Sequence, residues 1–350
     1  MSHTDADLSL SGAPARFAGG LHPLGDDLWA WLQPNGGTGE ANAGVVLGTD
    51  AAAVIDTCWD HRQAARLLAA ADTALGGAPI TTVVNTHCNG DHWWGNALMP
   101  VAAEIITSTA GRAGMARERP RELATLSRAL SFARRLPGRL GDDVAYLHAQ
   151  IAPYRFEEVQ LRLPSTTFDG EHHLGLGGRP VELIEVGPAH TEGDLVVHVP
   201  DAGVVFAADV LFVGQTPVMW SGPSASWVAA LERVTALEPR LVVPGHGPLA
   251  EPSELTLHRD YWDWLGEGVA RLFRRGRSAR HATVELLAEA DADRRPWARW
   301  EAPERTYISV AAEMRALEGR PPAESTRDML DGFLGVVRTR RRLLGGGGRP

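Results

Sequence analysis

Thr86-His87-Cys88-Asn89-Gly90-Asp91-His92-Trp93-Trp94-Gly95-Asn96 is the stretch on which the reading of this chain turns. Two imidazoles, a carboxylate and a carboxamide stand between His87 and His92, directly after the apolar run Ile80 to Val84. Side chains of metal-ligand type are thus gathered at the end of an expected strand. Asn89 stands among them where a third histidine would complete the set.

Three further segments share this layout of apolar run, tight turn and ligand-type residue. They are Leu183-Ile184-Glu185-Val186-Gly187-Pro188-Ala189-His190, Val204-Val205-Phe206-Ala207-Ala208-Asp209, and Leu241-Val242-Val243-Pro244-Gly245-His246. Strands fix the positions, and the glycines and prolines permit turns that aim side chains inward. Gly90, Gly187 and Gly245 fit close approach of the backbone to such a site. A lone His or Asp after a strand is ordinarily a surface or hydrogen-bonding residue. The ordered set of four segments carries the inference.

The bulk composition narrows the classes. With 350 residues, the chain forms one large domain with an appendage or two modest domains. Hydrophobic content of 44% and charged content of 22% are ordinary for a globular protein. A net charge of −9 argues against a surface that tracks phosphates, so nucleic acid is a poor partner. All 34 basic residues are Arg. Without Lys there is neither Schiff-base chemistry nor a Walker-type phosphate lysine. Cys58 and Cys88 supply no disulfide framework and no four-thiolate zinc site. Met1 to Arg16 reads as a frayed polar tail and not a signal peptide. No run approaches the ~20 apolar residues of a membrane helix. The expectation is a cytoplasmic protein acting on a small molecule, without membrane or nucleic-acid partners and with a homodimer as one admissible assembly.

Strand signals recur up to about residue 245. Ala43 to Leu47 and Ala53 to Asp56 read as a hairpin turned at Gly48-Thr49-Asp50. His61 to Leu75 has helical spacing and precedes the strand Ile80 to Val84, with another strand at Ile105 to Thr107. This alternation predicts layered α/β architecture. Residues 111–160 break it with Arg-rich helical stretches (Arg121 to Leu136, Asp142 to Ile151) and read as a helical insertion walling a pocket. Strands return at Val181 to Val186, Leu195 to Val199, Val204 to Ala207 and Leu241 to Val243, with a helix at Ser226 to Leu237. The stretches Pro252 to Arg275, Ala282 to Ala290, Thr306 to Leu317 and Ser325 to Leu344 predict a helical extension. The expected division is an α/β domain over 18–252, a helical extension over 253–344, and flexible tails at 1–17 and 345–350.

In order and spacing, the four segments resemble the metallo-β-lactamase superfamily over roughly residues 18 to 250. The resemblance implies a four-layer αββα sandwich with a one- or two-metal site at the sheet edges. His87 matches the first histidine of the family's His-x-His-x-Asp-His motif, and Asp91 and His92 match its closing pair. His190, followed by Thr191, matches the next ligand. Asp209 matches the carboxylate bridging two metals, and His246 the last histidine. Asp56, ending the Val-Ile-Asp run, matches a buried aspartate that braces the motif loop.

Asn89 departs from that pattern, standing where the family carries a histidine of the first metal position. By carry-over the second position is whole, with Asp91, His92, His246 and Asp209. The first keeps His87, His190 and Asp209 with an amide in place of its third nitrogen. Amide oxygen is a weaker zinc ligand than imidazole. The expectation is a firmly held second metal and a labile first.

The resemblance implies a hydrolase in which a metal-bound hydroxide attacks an ester, thioester or lactone. Asp91 and Asp209 would position that hydroxide, and the Asn89 amide N–H is a candidate oxyanion donor. Zinc is the expected metal, with iron or manganese as alternatives. Three other readings stay open: non-haem iron or manganese redox chemistry, β-lactam hydrolysis, and a non-catalytic protein with a degraded site. Oxygen-reducing flavodiiron members carry a glutamate at the Asn89 position and a flavodoxin module, which has no counterpart here. Trp59, Trp93, Met219 and Trp220 are the expected substrate contacts, each with core packing or a structural turn as the plain alternative. Cys88 is expected to point away from the metals.

Overall fold

The computed structural model describes residues 14–323 and 326–345. Residues 1–13 and 346–350 of the expected tails lie outside the described residues. The first sheet follows chain order: β1 (Gly20–Gly25), β2 (Leu28–Leu32), β3 (Ala43–Leu47), β4 (Ala52–Ile55), β5 (Ile80–Val84), β6 (Glu104–Ser108) and β7 (Thr166–Phe168). Pairing is antiparallel from β1 to β4 and parallel from β4 to β7. The second sheet has the spatial order β12, β11, β10, β9, β8. Its members are β8 (Glu171–Leu176), β9 (Arg179–Glu185), β10 (Leu195–Val199), β11 (Val204–Phe212) and β12 (Leu241–His246). Only the pair between β11 and β12 is parallel there.

The two sheets face each other across one apolar core. Val46, Ile55, Val84 and Ile106 of the first meet Leu183, Val197, Phe206 and Val243 of the second. The side chains these strands turn toward the opposite sheet are largely apolar, and β4, β10 and β11 are buried along their whole length. The approach is close at Gly44, where a Cβ would lie 2.4 Å from the Phe206 ring.

A helical layer covers each outer face. The helix α1 (His61–Leu75) buries Ala64, Leu67, Ala71 and Leu75 against Val54, Val83 and Ile105. These positions recur at helical spacing. A capping box starts α1: the Asp60 carboxylate accepts from the Gln63 backbone N–H at 2.9 Å, and the Gln63 side chain reaches back to the Asp60 N–H. On the other side, Trp227, Leu231 and Val234 of the Ser224–Ala236 helix pack with Trp262, Leu265 and Val269 of the Ser253–Arg274 helix over the second sheet. The result is the four-layer αββα sandwich.

Between β5 and β6 lies the short α2 (Gly90–Trp93), which carries the motif. Between β6 and β7 come α3 (Thr109–Met115), α4 (Pro120–Ala133) and α5 (Arg139–Ile151), at the expected insertion. The Ser224–Ala236 helix is α6, and Ser253–Arg274 is α7. They are followed by α8 (Ala279–Ala292), α9 (Thr306–Leu317) and α10 (Thr326–Gly345). The insertion touches the chain's last helix through an Arg341–Asp143 ion pair. No helix among the described residues is long and apolar enough to cross a membrane.

The structure adds strands that the sequence pattern does not announce: β1, β2 and β7. It also corrects one placement. Asp209 does not follow a strand end, because β11 runs on through it to Phe212. The strand kinks at Ala208, whose φ is 45°, and its register against β12 is irregular around that residue. That kink lets a residue inside a strand reach the sheet edge.

Candidate metal centre

Four of the six expected ligands, the histidines, converge on Asp209. Its Oδ2 lies 3.3 Å from His190 Nε2 and 3.8 Å from His87 Nε2. Its Oδ1 lies 3.1 Å from His92 Nε2 and 3.6 Å from His246 Nε2. Asp91 Oδ2 completes that second side, 3.5 Å from His246 Nε2. One carboxylate therefore divides its two oxygens between two histidine pairs. His87, His92, His190, Asp209 and His246 are buried, whereas Asp91 is partly open to solvent.

The histidine tautomers are set from behind. The Asp56 carboxylate accepts from the Thr86 N–H and the Thr86 hydroxyl, each at 2.8 Å, and from His92 Nδ1 at 2.7 Å. Since the Thr86 hydroxyl donates to Asp56, its oxygen accepts from His87 Nδ1 at 3.1 Å. Val218 O accepts from His190 Nδ1 at 2.5 Å. In these three rings the Nδ1 partner is an acceptor, so the proton sits on Nδ1 and the Nε2 lone pair faces the cluster, whereas His246 Nδ1 has no such partner.

The donor set fits a cation. His87 Nε2, His92 Nε2 and Asp209 Oδ1 are buried and have no hydrogen-bond partner. Leaving such atoms unpaired costs about 1–3 kcal/mol each. A lone pair on His92 Nε2 facing a carboxylate oxygen 3.1 Å away calls for a proton or a cation between them. The most compact trios are His87, His92 and Asp209, and Asp91, His92 and His246, with ligand atoms within 4.8 Å of one another. His92 thus belongs to both, while His190 stands at the margin.

Electrostatics follow the same demand. Burial opposes a charge on His92, yet Asp209 and Asp56 outweigh it and hold its pKa well above the ordinary value. Burial and the neighbouring His92 push His87 well below. Asp209 stays far below the usual carboxylate range despite burial, because His92, His246 and His190 surround it. Burial raises Asp56, against the lowering influence of His92 and Thr86.

Asn89 meets the cluster through its amide. Its Nδ2 lies 2.8 Å from His190 Nε2. Since His190 donates its Nδ1 proton to Val218, Nε2 accepts and the Asn89 amide donates. One N–H of the amide expected as an oxyanion donor is therefore engaged by His190.

Other expectations shift as well. Thr191 pairs with Asp194, its hydroxyl 2.6 Å from Oδ1 and its N–H 2.9 Å from Oδ2. It braces the ligand loop and not the His190 ring, and burial lifts Asp194 to about 6. Of the four expected substrate contacts, three are packed away. Trp93 is fully buried and its indole N–H donates to Cys88 O at 2.8 Å. Trp59 packs among Tyr154 and Phe156, and Met219 is buried in the core beneath α6 and α7. Trp220 keeps some exposure, beside Phe333 of α10. Cys88 abuts Gly114 of α3 and joins neither trio.

Three supports went unread in the sequence. The Asn42 amide donates to Pro244 O at 2.9 Å and Gly247 O at 2.8 Å, straddling His246. Asn85 and Asn96 exchange amide hydrogen bonds of 3.1 and 2.8 Å and close the motif loop. The Phe212 ring stacks on His246, 5.2 Å between centroids at 10°. Asn96 lies in the motif itself and carried a signal, but Asn42 is distant in sequence and gave none.

The family model of the metallo-beta-lactamase superfamily matches residues 36–246, and the chain belongs to that superfamily. Among characterised proteins it is similar to the 2,4-dinitroanisole O-demethylase subunit alpha of Nocardioides sp. (strain JS1661), 25% identical over 217 residues. That match takes in 60% of this chain and 53% of the relative, so it spans about half the relative's length. Among solved structures, the metallo-beta-lactamase from Pontibacter korlensis superposes with a TM-score of 0.50 at 20% identity. The overlap covers 69% of this chain and 98% of that one, a likeness of fold.

Proposed function

We propose that this chain is a zinc-dependent hydrolase of small-molecule esters, thioesters or lactones. The observation that carries the reading is the division of Asp209, Oδ2 toward His87 and His190 and Oδ1 toward His92 and His246. His92, His246, Asp91 and Asp209 would hold one ion, and His87, His190 and Asp209 a second. Imidazole and carboxylate ligands suit zinc, and also iron or manganese. A bound dication supplies a water of near-neutral pKa and polarises the substrate carbonyl.

The protein groups do the rest. Asp91 reaches toward solvent, so it is placed to accept a proton from the attacking water and hand it to the leaving oxygen or sulfur. Asp209 keeps the histidine pairs in register. Asp56 holds His92 in the tautomer that presents Nε2. The net reaction adds water across an acyl bond, giving an acid and an alcohol or thiol.

The experiment is metal analysis of the purified protein joined to a panel of ester, thioester and lactone substrates. Activity that disappears on chelation and returns with zinc supports the proposal, and inactivity of the metal-loaded protein across the panel overturns it. A second reading has the similarity to the O-demethylase subunit behind it: cleavage of an activated aryl methyl ether at the same site. Including 2,4-dinitroanisole in the panel, with release of the coloured phenolate as readout, separates the two.

A further inference from the structure

Arg305 stands just before α9, half-buried, where three elements meet. Its Nη2 donates to the Thr38 hydroxyl, in the loop between β2 and β3, and to Gln150 Oε1 of α5 at 3.0 Å. Both acceptors are neutral. Among the described residues no carboxylate lies within ion-pair distance of the guanidinium, and its Nε and Nη1 have no protein partner. The adjacent carboxylate, Glu304, is turned to the Tyr146 hydroxyl at 2.7 Å. Every basic residue of the chain is Arg, so the residue type says little. The missing counter-charge is what speaks: a partly desolvated guanidinium with an unused edge is a receptor for a carboxylate.

Its position relates it to the candidate metal centre by two routes. Thr38 is two residues, at most about 7 Å of chain, from Gly36. A Cβ on Gly36 would lie 2.4 Å from the N of Gly247, the residue after His246. In the other direction Arg305 is about one helical turn, roughly 6 Å, before Ser309. Ser309 Oγ accepts from Met219 N at 3.1 Å and donates to Pro217 O at 3.3 Å. Val218, between them, holds His190. The segments that hold Arg305 are thus tied to the loop of His246 on one side and to the loop of His190 on the other.

We infer that Arg305 receives an anionic group of the substrate, so that the hydrolysis proposed above acts on acyl compounds carrying a carboxylate a few bonds from the scissile bond. The inference rests on that proposal for the reaction, while the binding it requires can be measured without turnover.

The test compares mono-4-nitrophenyl glutarate with its neutral methyl ester in the full chain, the Arg305→Gln and Arg305→Lys variants, and Gln150→Ala. Wild type should prefer the anionic ester by about ten- to a hundredfold in kcat/KM, as expected for a charge-assisted pair. Arg305→Gln should lose that preference, slowing the anionic ester far more than the neutral one, and Arg305→Lys should keep part of it. Gln150→Ala loosens the tie to the insertion but leaves the guanidinium, so the preference should persist. Calorimetric binding of glutarate should weaken by a similar factor in Arg305→Gln alone. If Arg305→Gln slows both esters alike, or if glutarate binds wild type and variant equally or neither, Arg305 is only a structural tie. If neither ester turns over, the hydrolase proposal fails, and glutarate binding still decides the role of Arg305.

Discussion

The Asn89 amide nitrogen lies 2.8 Å from His190 Nε2, on the lone pair that would otherwise face Asp209. The residue that departs from the family's histidine pattern thus engages the one ligand-type histidine that stands outside the compact trios. The asymmetry legible in the sequence has a geometric form: one side of Asp209 faces His92, His246 and Asp91, and the other faces a histidine already satisfied by an amide. A cation on that side must displace the Asn89 donor before His190 can ligate.

From this follows a prediction on metal content. Wild-type protein dialysed against a mild chelator should retain about one zinc per chain, held through imidazole and carboxylate ligands. Asn89→His should raise the count to about two, because a third imidazole replaces the competing donor. Asn89→Ala should leave the first ion weakly bound but faster to load. Elemental analysis after dialysis reads all three, and equal counts in wild type and Asn89→His would discard the idea.

Asp56 offers a second prediction. It is buried, has a φ of 60°, and accepts three hydrogen bonds, from Thr86 N, Thr86 Oγ1 and His92 Nδ1. Asn at this position keeps one acceptor oxygen but turns an NH2 toward the Thr86 hydroxyl and the His92 ring. His92 then carries its proton on Nε2 and withdraws its lone pair from the centre. Metal affinity should fall by about ten- to a hundredfold, the usual loss when such a support is changed. Chelator competition measures it, and an unchanged affinity with an intact fold would count against Asp56 as the group that fixes the tautomer.

How much of this was legible beforehand depends on what each residue answers to. The strands of the inner core follow from short β-branched apolar runs and α1 from helical apolar spacing, and α9 begins and ends where the pattern does, at Thr306 and Leu317. β1 contains a glycine at each end and Pro23, so its strand identity comes from pairing with β2 and not from its own composition. The ligand-type residues were visible because turns and ligands recur together. Trp59, Trp93 and Met219 were misplaced because a large apolar residue beside a site has the same signature whether it lines a pocket or fills the layer behind it. Asn42 and Arg305 were invisible because their roles arise only when distant segments meet.

Gly245 tests how closely β11 and β12 are fitted. A Cβ there would fall 1.9 Å from Asp209 Oδ1 and 2.6 Å from the Ala208 carbonyl carbon. The Ala208 carbon is backbone and the carboxylate is hemmed in by His92 and His246, so Gly245→Ala must push Asp209 off its position between the histidines. The expected outcome is loss of metal retention and of metal-dependent activity in a chain that still shows native far-UV circular dichroism. Stability should drop by about 1–3 kcal/mol, the usual cost of overpacking. Full metal retention in Gly245→Ala would mean the centre tolerates a displaced Asp209.

His258 supplies the pH prediction. It is fully buried on α7, stacked on Trp300 with centroids 4.7 Å apart, and its ring nitrogens face Phe212 O and Glu254 O. Burial outweighs those carbonyls and pushes its pKa down to about 4 from 6.5. Above pH 6.5 the ring is neutral in folded and unfolded chains alike and contributes no pH dependence. As pH falls from 6.5 toward 4 the unfolded chain takes up a proton that the folded chain refuses, so stability declines, by about 3 kcal/mol in all. Below 4 this contribution levels off. Glutamine at 258 can keep one of the two carbonyl contacts and has no such titration. Denaturant unfolding of wild type and His258→Gln at several pH values between 8 and 4.5 should therefore show the variant less stable at pH 8, with the gap narrowing as pH falls. Unfolding free energies that stay parallel across that range would place the proton uptake elsewhere.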